Sequence, residues 1–367
     1  MKKILTKGAL LSTLAAFMIM SACGTGNEEI QEIEPSVLHI YTEDENFDEI
    51  LQNVYEAHPD WNGRIRTEII TEDYYNTVNT NIDKIKNPPK ENNKQNSDEA
   101  VAVDIVYYPD LIVAKLDNTE LFNEAEYTVP LTEVGIGEDD MKQMYSYTIQ
   151  TATDSNGMCK ALSWEADMVA FLYRRSIATE VFGTDDPKDV QSYMRDRLTY
   201  EDTAIAISKK TEGKVSMLSS SEDIKADLKG SKFFGLYAGT EFIFNELAEN
   251  CGGKALGQGS FGDWNVCAGP EPYINGGSWI YITEDCCDKD FAASVMKAIC
   301  CETGTLEKLQ KQENIVVNNA KVMSNAYNSG KGKADILGGN DYLGVYIDVA
   351  TGYDITESKQ HTENIGQ

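Results

Sequence analysis

From residue 36 onward, short β-branched runs alternate with amphipathic segments, and few topologies satisfy that grammar. "SVLHIYTE" (36–43) reads as a strand. In "FDEILQNVYEAHP" (47–59), Phe47, Ile50, Leu51, Val54 and Tyr55 fall at offsets of 3, 4, 7 and 8, one face of a helix that Pro59 ends. "GRIRTEIIT" (63–71) is a second strand and "YYNTVNTNIDKIK" (74–86) a second helix. A polar loop, "NPPKENNKQNSDEA" (87–100), leads to a third strand, "VAVDIVYYP" (101–109). Strands and helices at this spacing predict a parallel sheet with helices on both faces.

The second half repeats the pattern. "KALSWEADMVAFLYRR" (160–175) reads as a strand pair, residues 187–197 and 200–211 as amphipathic helices, and "KVSMLSS" (214–220) as a short strand. Residues 232–250 run from an aromatic strand or turn into a helix. Residues 262–282 form an aromatic loop, rich in Gly and Pro, that delivers the strand "SWIYIT" (278–283) to a helix over 288–302. "NIVVNNAKVMSNAY" (314–327) and "LGVYIDVATGYD" (343–354) close the chain. No internal repeat is present. With 367 residues the chain has room for two domains with cores of their own. Open α/β sheets bind ligands at the carboxyl ends of their strands, so two such edges face to face make a cleft that closes by hinge motion.

The first residues stand apart. Lys2, Lys3 and Lys7 precede an apolar stretch from Ala9 to Met20, then Ser21-Ala22-Cys23. The run is short for a membrane span and reads as a secretory signal. Small residues ahead of Cys23 resemble a bacterial lipobox, with Met20 where Leu is usual. Cys23 is then the acylated first residue of the mature chain, and "CGTGNEEIQEIE" is a polar tether. The formal net charge of −28 becomes −31 once the three leader lysines are removed. No basic stripe exists to displace counterions from phosphates, so nucleic acid is excluded as a partner. Seven cysteines besides Cys23 cannot all pair within the chain. The vicinal pairs Cys286-Cys287 and Cys300-Cys301 lack the spacing of a zinc site, so no metal is expected and most cysteines read as buried small hydrophobes. Cys251 with Cys267 is the expected disulfide.

Four blocks carry a resemblance: "HIYTEDENF" (39–47), "WEADMVAFLYRRSIATEVFGTDDPKDVQ" (164–191), "GQGSFGDWNVCAGPEPYINGGSWI" (257–280) and "NIVVNNAKVM" (314–323). In this order they resemble the sugar-binding lipoproteins of ATP-driven importers, the extracellular solute-binding family that includes maltose-binding protein. The resemblance implies an α/β, two-lobe periplasmic-binding-protein-like fold with a hinge and an inter-lobe cleft. Lobe 1 would comprise residues 36–155 and 276–318, and lobe 2 residues 156–275 and 319–355, after a signal (1–22) and tether (23–35) and before a tail (356–367). It further implies an oligosaccharide ligand, ABC permease subunits as partners, a lipid anchor on the outer face of the cell membrane, a monomer, no cofactor and no catalysis.

Sugars present a flat C–H face to aromatic rings and hydroxyls to carboxylates and amides. On the family pattern, Glu43, Asp44 and Glu45 line the cleft where relatives commonly have Trp-Asn. Trp164 and Glu165 match a Trp-Gln pair, and Trp279, after Gly276 and Gly277, matches a Trp that stacks on sugar; Trp264 packs under the loop. After the third strand the family often carries an acid where this chain has Pro109, beside Asp110. Between residues 220 and 233 only "SEDIKADLKGSK" stands where relatives have several helices, which implies a shortened second lobe. That shortening motivates an alternative, a degenerate binding protein acting as a sensor or partner for a membrane receptor. A glycoside-acting enzyme would need an acid pair such as Asp44 and Glu165, about 5 to 10 Å apart.

Overall fold

The computed structural model describes residues 36–87, 106–219, 224–230 and 232–355. The leader, Cys23, the tether, nearly all of the 87–100 loop, residues 101–105 and the tail from 356 lie outside them. Ten strands build two sheets: β1 (Leu38–Thr42), β2 (Ile65–Ile69), β3 (Leu111–Lys115), β4 (Ala161–Ser163), β5 (Met168–Arg174), β6 (Ser216–Leu218), β7 (Phe233–Ala238), β8 (Trp264–Cys267), β9 (Tyr273–Ile274) and β10 (Ser278–Ile282). The first sheet has the order β2-β1-β3-β10-β4 and the second β6-β7-β5-β8, with β9 also paired to β5.

The α/β class holds, but neither sheet is purely parallel. β1 runs parallel to β2 and β3, whereas β10 is antiparallel to β3 and β4. In the second sheet β5 is antiparallel to β7, β8 and β9, and only β6 and β7 run parallel. The antiparallel members enter because the chain passes between the sheets rather than crossing over within one. It leaves β4 for β5 through 164–167 and returns from β9 to β10 through 275–277. Residues 316–318 run alongside the first passage, where Ala166 N–H donates to Val316 O (2.7 Å) and Asn318 N–H to Trp164 O (2.8 Å).

Both faces of the central strands are covered, so those strands are nearly continuous apolar runs, whereas the edge strands β2 and β6 keep exposed residues. On one face of the first sheet Leu38, Ile40, Val113 and Ile280 pack with Phe47, Leu51 and Val54 of the helix Phe47–Ala57. On the other, Tyr41, Ile112, Trp279 and Tyr281 meet Tyr74, Val78 and Ile82 of the helix Tyr74–Lys86. Successive strand residues take opposite faces and every fourth helix residue returns to the same stripe, which is why the sequence places both helices within a residue or two. Among the described residues the third strand is Leu111–Lys115; residues 101–105 of the run expected as a strand lie outside them, and 106–109 are not in a strand. Asp110, just before Leu111, is buried and accepts from His39 N–H (2.8 Å) and Cys287 N–H (2.7 Å), which makes it a structural tie.

The segment 262–282 is less of a loop than its glycines suggest, since it contributes β8, β9 and β10. Trp264 sits in the core on β8, its indole N–H donating to Ser260 Oγ (2.8 Å). The connection from β6 to β7 carries only the short helix Ile224–Asp227 among the described residues.

The expected Cys251–Cys267 disulfide is not formed, and all seven described cysteines are free thiols. Cys267 packs with Phe171 and Tyr173 on one side of the second sheet, whereas Cys251 belongs to the core on the other side. Cys251 donates to Gly253 O (3.2 Å), and burial pushes the Cys267 thiol up to about 12. Cys287 is the exposed one, raised to about 11 by burial and by Asp110. In the folded protein a thiol alkylating reagent should therefore modify Cys287 first and faster as pH rises. Cys251, Cys267 and Cys300 should react only on unfolding; peptide mass mapping of native and denatured samples checks the order.

Candidate functional site

A cavity of about 540 Å³ opens where the chain passes between the sheets. Its wall takes Asp44 from the turn after β1, Lys115 from the end of β3, Trp164, Glu165 and Asp167 from the β4–β5 passage and Gly276 to Ser278 from the return passage. Glu241 and Asn245, on the helical segment after β7, close the side toward the second sheet, and Gln312 to Ile315 complete it. Strand ends and interconnecting passages are where backbone polar groups and side chains can reach a solute without disturbing a sheet.

Of the residues expected from sequence, Asp44, Trp164, Glu165 and Gly277 line this cavity, whereas Glu43, Glu45 and Trp279 do not. Asp44 is held by its own turn: its N–H donates to Thr42 Oγ1 (3.0 Å) and its carboxylate accepts from Asn46 N–H (2.9 Å). Glu43 points instead to the neighbouring strand end, accepting from Lys115 N–H (2.7 Å) and Asn118 Nδ2 (3.0 Å). It ties β1 to β3. Glu45 is exposed. Trp164 is only 2 % exposed and packs against Phe47, so its ring is not an open platform.

Trp279 is 1 % exposed and belongs to the core behind the cavity. Its indole N–H donates to Thr148 O (2.9 Å). On β10 Ser278 faces the cavity, so the next side chain must point the other way. The ring still passes under Gly277, where an added Cβ would lie 3.0 Å from it. Gly277 also has φ of 109°, a conformation that side-chain-bearing residues rarely adopt.

Asp167, Glu241, Asn245 and Asn275 were not anticipated. A signal for Asp167 was present: Glu165 and Asp167 are the carboxylates that interrupt the apolar stretch from Ala161 to Tyr173. Asp167 lies between two glycines; a Cβ on Gly276 would come within 2.5 Å of one carboxylate oxygen, and one on Gly239 within 3.1 Å of the other. Glu165 is enclosed deep in the protein with part of its surface open to the cavity. Burial, then the charges of Asp167 and Asp44, push it up to about 8 against a bond from Ser278 that opposes the shift. Burial and Glu241 raise Asp167 to about 6. Near neutral pH the site therefore holds mixed protonation states and can both donate and accept hydrogen bonds.

No protein-family model and no curated protein matches this chain. Solved structures do. An extracellular solute-binding protein of family 1 superposes with a TM-score of 0.63 at 13% identity, covering 87% of this chain and 88% of that one. A cyclic α-maltosyl-1,6-maltose-binding protein from Arthrobacter globiformis gives 0.56 at 9% identity over 86% and 91%. An extracellular solute-binding protein from Staphylococcus aureus, in complex with maltose, gives 0.52 at 12% identity over 90% and 96%. The chain thus has the mixed α/β fold of these solute-binding proteins. No helix among the described residues is long and apolar enough to cross a membrane.

Proposed function

We propose that this protein is the solute-binding subunit of an ABC importer, capturing an oligosaccharide in the cavity between its two sheets without chemical change. The observation that carries the reading is the position of that cavity. It lies on the chain passages that join the sheets, in a fold shared with proteins that bind maltose and a cyclic maltosyl sugar. Its volume suits a small solute, and its wall is dominated by groups that pair with hydroxyls. Asp44, Trp164, Glu165, Gly277 and Asp167 are the proposed contacts. In the same reading Cys23 carries the lipid, the tether spans to the membrane, and the loaded monomer docks on permease subunits at the outer face of the cell membrane. The two lobes divide at the passages near residues 164–167, 275–277 and 314–319.

Isothermal titration against di- to tetrasaccharides, with analysis of the sugars afterwards, tests this. One-to-one binding is expected, with the sugar recovered intact and the melting point raised; saturation to about 100 times Kd corresponds to about 2.7 kcal/mol of added stability. Absence of heat and of thermal shift with every sugar would remove the transport reading. Cleaved products would favour glycoside chemistry by the Asp44 and Glu165 carboxylates instead.

A further inference from the structure

The charge around the cavity is one-sided. Asp44, Glu165 and Asp167 are partly buried in its wall, and Glu49, Asp117, Glu241 and Glu313 add exposed carboxylates. Lys115 is the one cation among the described lining residues. Among the described residues no lysine or arginine forms an ion pair with any of these acids. The carboxylate of Asp167 has no hydrogen-bond donor there either, although glycines on both sides keep room around it. Tyr147, whose hydroxyl is buried without a hydrogen-bond partner among the described residues, lies near enough to feel both Asp167 and Glu165. Gathering seven acids around one exposed lysine is costly, and the cost is recovered when the ligand brings further positive charge.

Three classes of cation could supply it, and the geometry separates them. A bare divalent ion needs several oxygens converging within about 2.6 Å. No group of three or more acidic, His or Cys side chains among the described residues is arranged that way. A linear polyamine would need apolar or aromatic flanks for its methylene stems. Trp164 is the aromatic side chain of the lining, and its ring is almost wholly buried. The lining instead interleaves its acids with amides, Asn245, Asn275 and Asn314 among them, and with Ser278. That combination suits a ligand with both hydroxyls and an ammonium group. Among the described lining residues no open aromatic face offers the usual platform for a neutral pyranose.

We propose that the solute is a carbohydrate bearing a protonated amine, of the glucosamine-oligosaccharide class, with its ammonium group at Asp167. This rests on the cavity being the solute site. The test is calorimetry near pH 6 with a β-1,4-linked glucosamine dimer, its N-acetylated counterpart and cellobiose, alongside spermidine and calcium chloride. The glucosamine dimer should bind at least about tenfold more tightly than either neutral sugar, with an advantage that shrinks as salt is raised. Asp167→Asn should abolish that preference while leaving the melting transition cooperative. Neutral sugars binding equally or better would overturn the amine assignment and leave the solute-binding reading standing. Tighter binding of spermidine or calcium would also overturn it. Silence from these ligands and from the wider sugar panel would defeat both readings. An amine preference that survives in Asp167→Asn with a folded protein would remove Asp167 as its reader.

Discussion

Trp279→Ala should lower the free energy of unfolding by about 3–5 kcal/mol, the range for deleting a fully buried aromatic side chain. The ring is enclosed by both neighbouring strands, with Ala114 opposite on β3 and Ser163 on β4, and its N–H satisfies Thr148 O. Thr148 is itself tied to Asn318, whose amide also reaches Ser163 O (2.9 Å), so the cavity left by alanine would open beside the chain passages. Trp279→Phe should cost less, since most of the buried area remains and one hydrogen bond of about 1 kcal/mol is lost. Urea unfolding of both variants measures this. The pairing with ligand titration is decisive: Trp279→Phe should bind the solute almost as the parent does, because the ring lies behind Gly277. A folded, stable Trp279→Ala that has lost binding would return the ring to the ligand.

The second large effect is a loss of stability of the ligand-free protein as pH rises. The Glu165 acid holds its proton to about 8 in the folded protein, against an ordinary 4.5 in the unfolded chain. Between those values the folded state binds the proton that the unfolded state has released. Stability is therefore greatest on the acid side of this window and falls as pH rises toward 8. Asp167 contributes in the same direction between 3.8 and about 6. His39 opposes it below 6.5, because burial lowers its pKa and the unfolded chain takes up the proton first. The clean interval is thus pH 6.5 to 8. A shift of one unit is worth about 1.4 kcal/mol, and solvent on the cavity side of Glu165 reduces the total, so a decline on the order of 1 kcal/mol is expected across this interval. Glu165→Gln should flatten it. Urea midpoints across this interval at fixed ionic strength test the assignment; a parent curve as flat as that of the variant would refute it.

Much of the first sheet was legible because its two helices each present a single apolar stripe. Phe47, Ile50, Leu51 and Val54 are indeed the buried face of their helix. The strand Leu111–Lys115 was passed over because "VAVDIV", most of which lies outside the described residues, is the more β-branched of two neighbouring apolar runs. Trp279 was misread for a related reason. In "SWIYI" every residue is buried, so alternation distinguishes two faces without saying which one borders a cavity. The glycine pair correctly marked a close approach of backbone to something, but at Gly276 that something is the Asp167 carboxylate. Asp167 itself could be seen only as an acid in an apolar run, since its neighbours Gly239 and Gly276 come from distant parts of the chain.

The place of β10 in the first sheet also dictates an order of assembly. Among the described strands β4 is hydrogen-bonded only to β10, which is made after the whole second sheet. A nascent chain cut anywhere before residue 278 would leave β4 without a neighbour and β3 with an open edge, the kind of unpaired strand that invites association between chains. Native structure in this region must therefore await nearly complete synthesis, as long-range pairing generally delays folding. A chain of this topology therefore completes its first sheet only after every strand of its second sheet has been made.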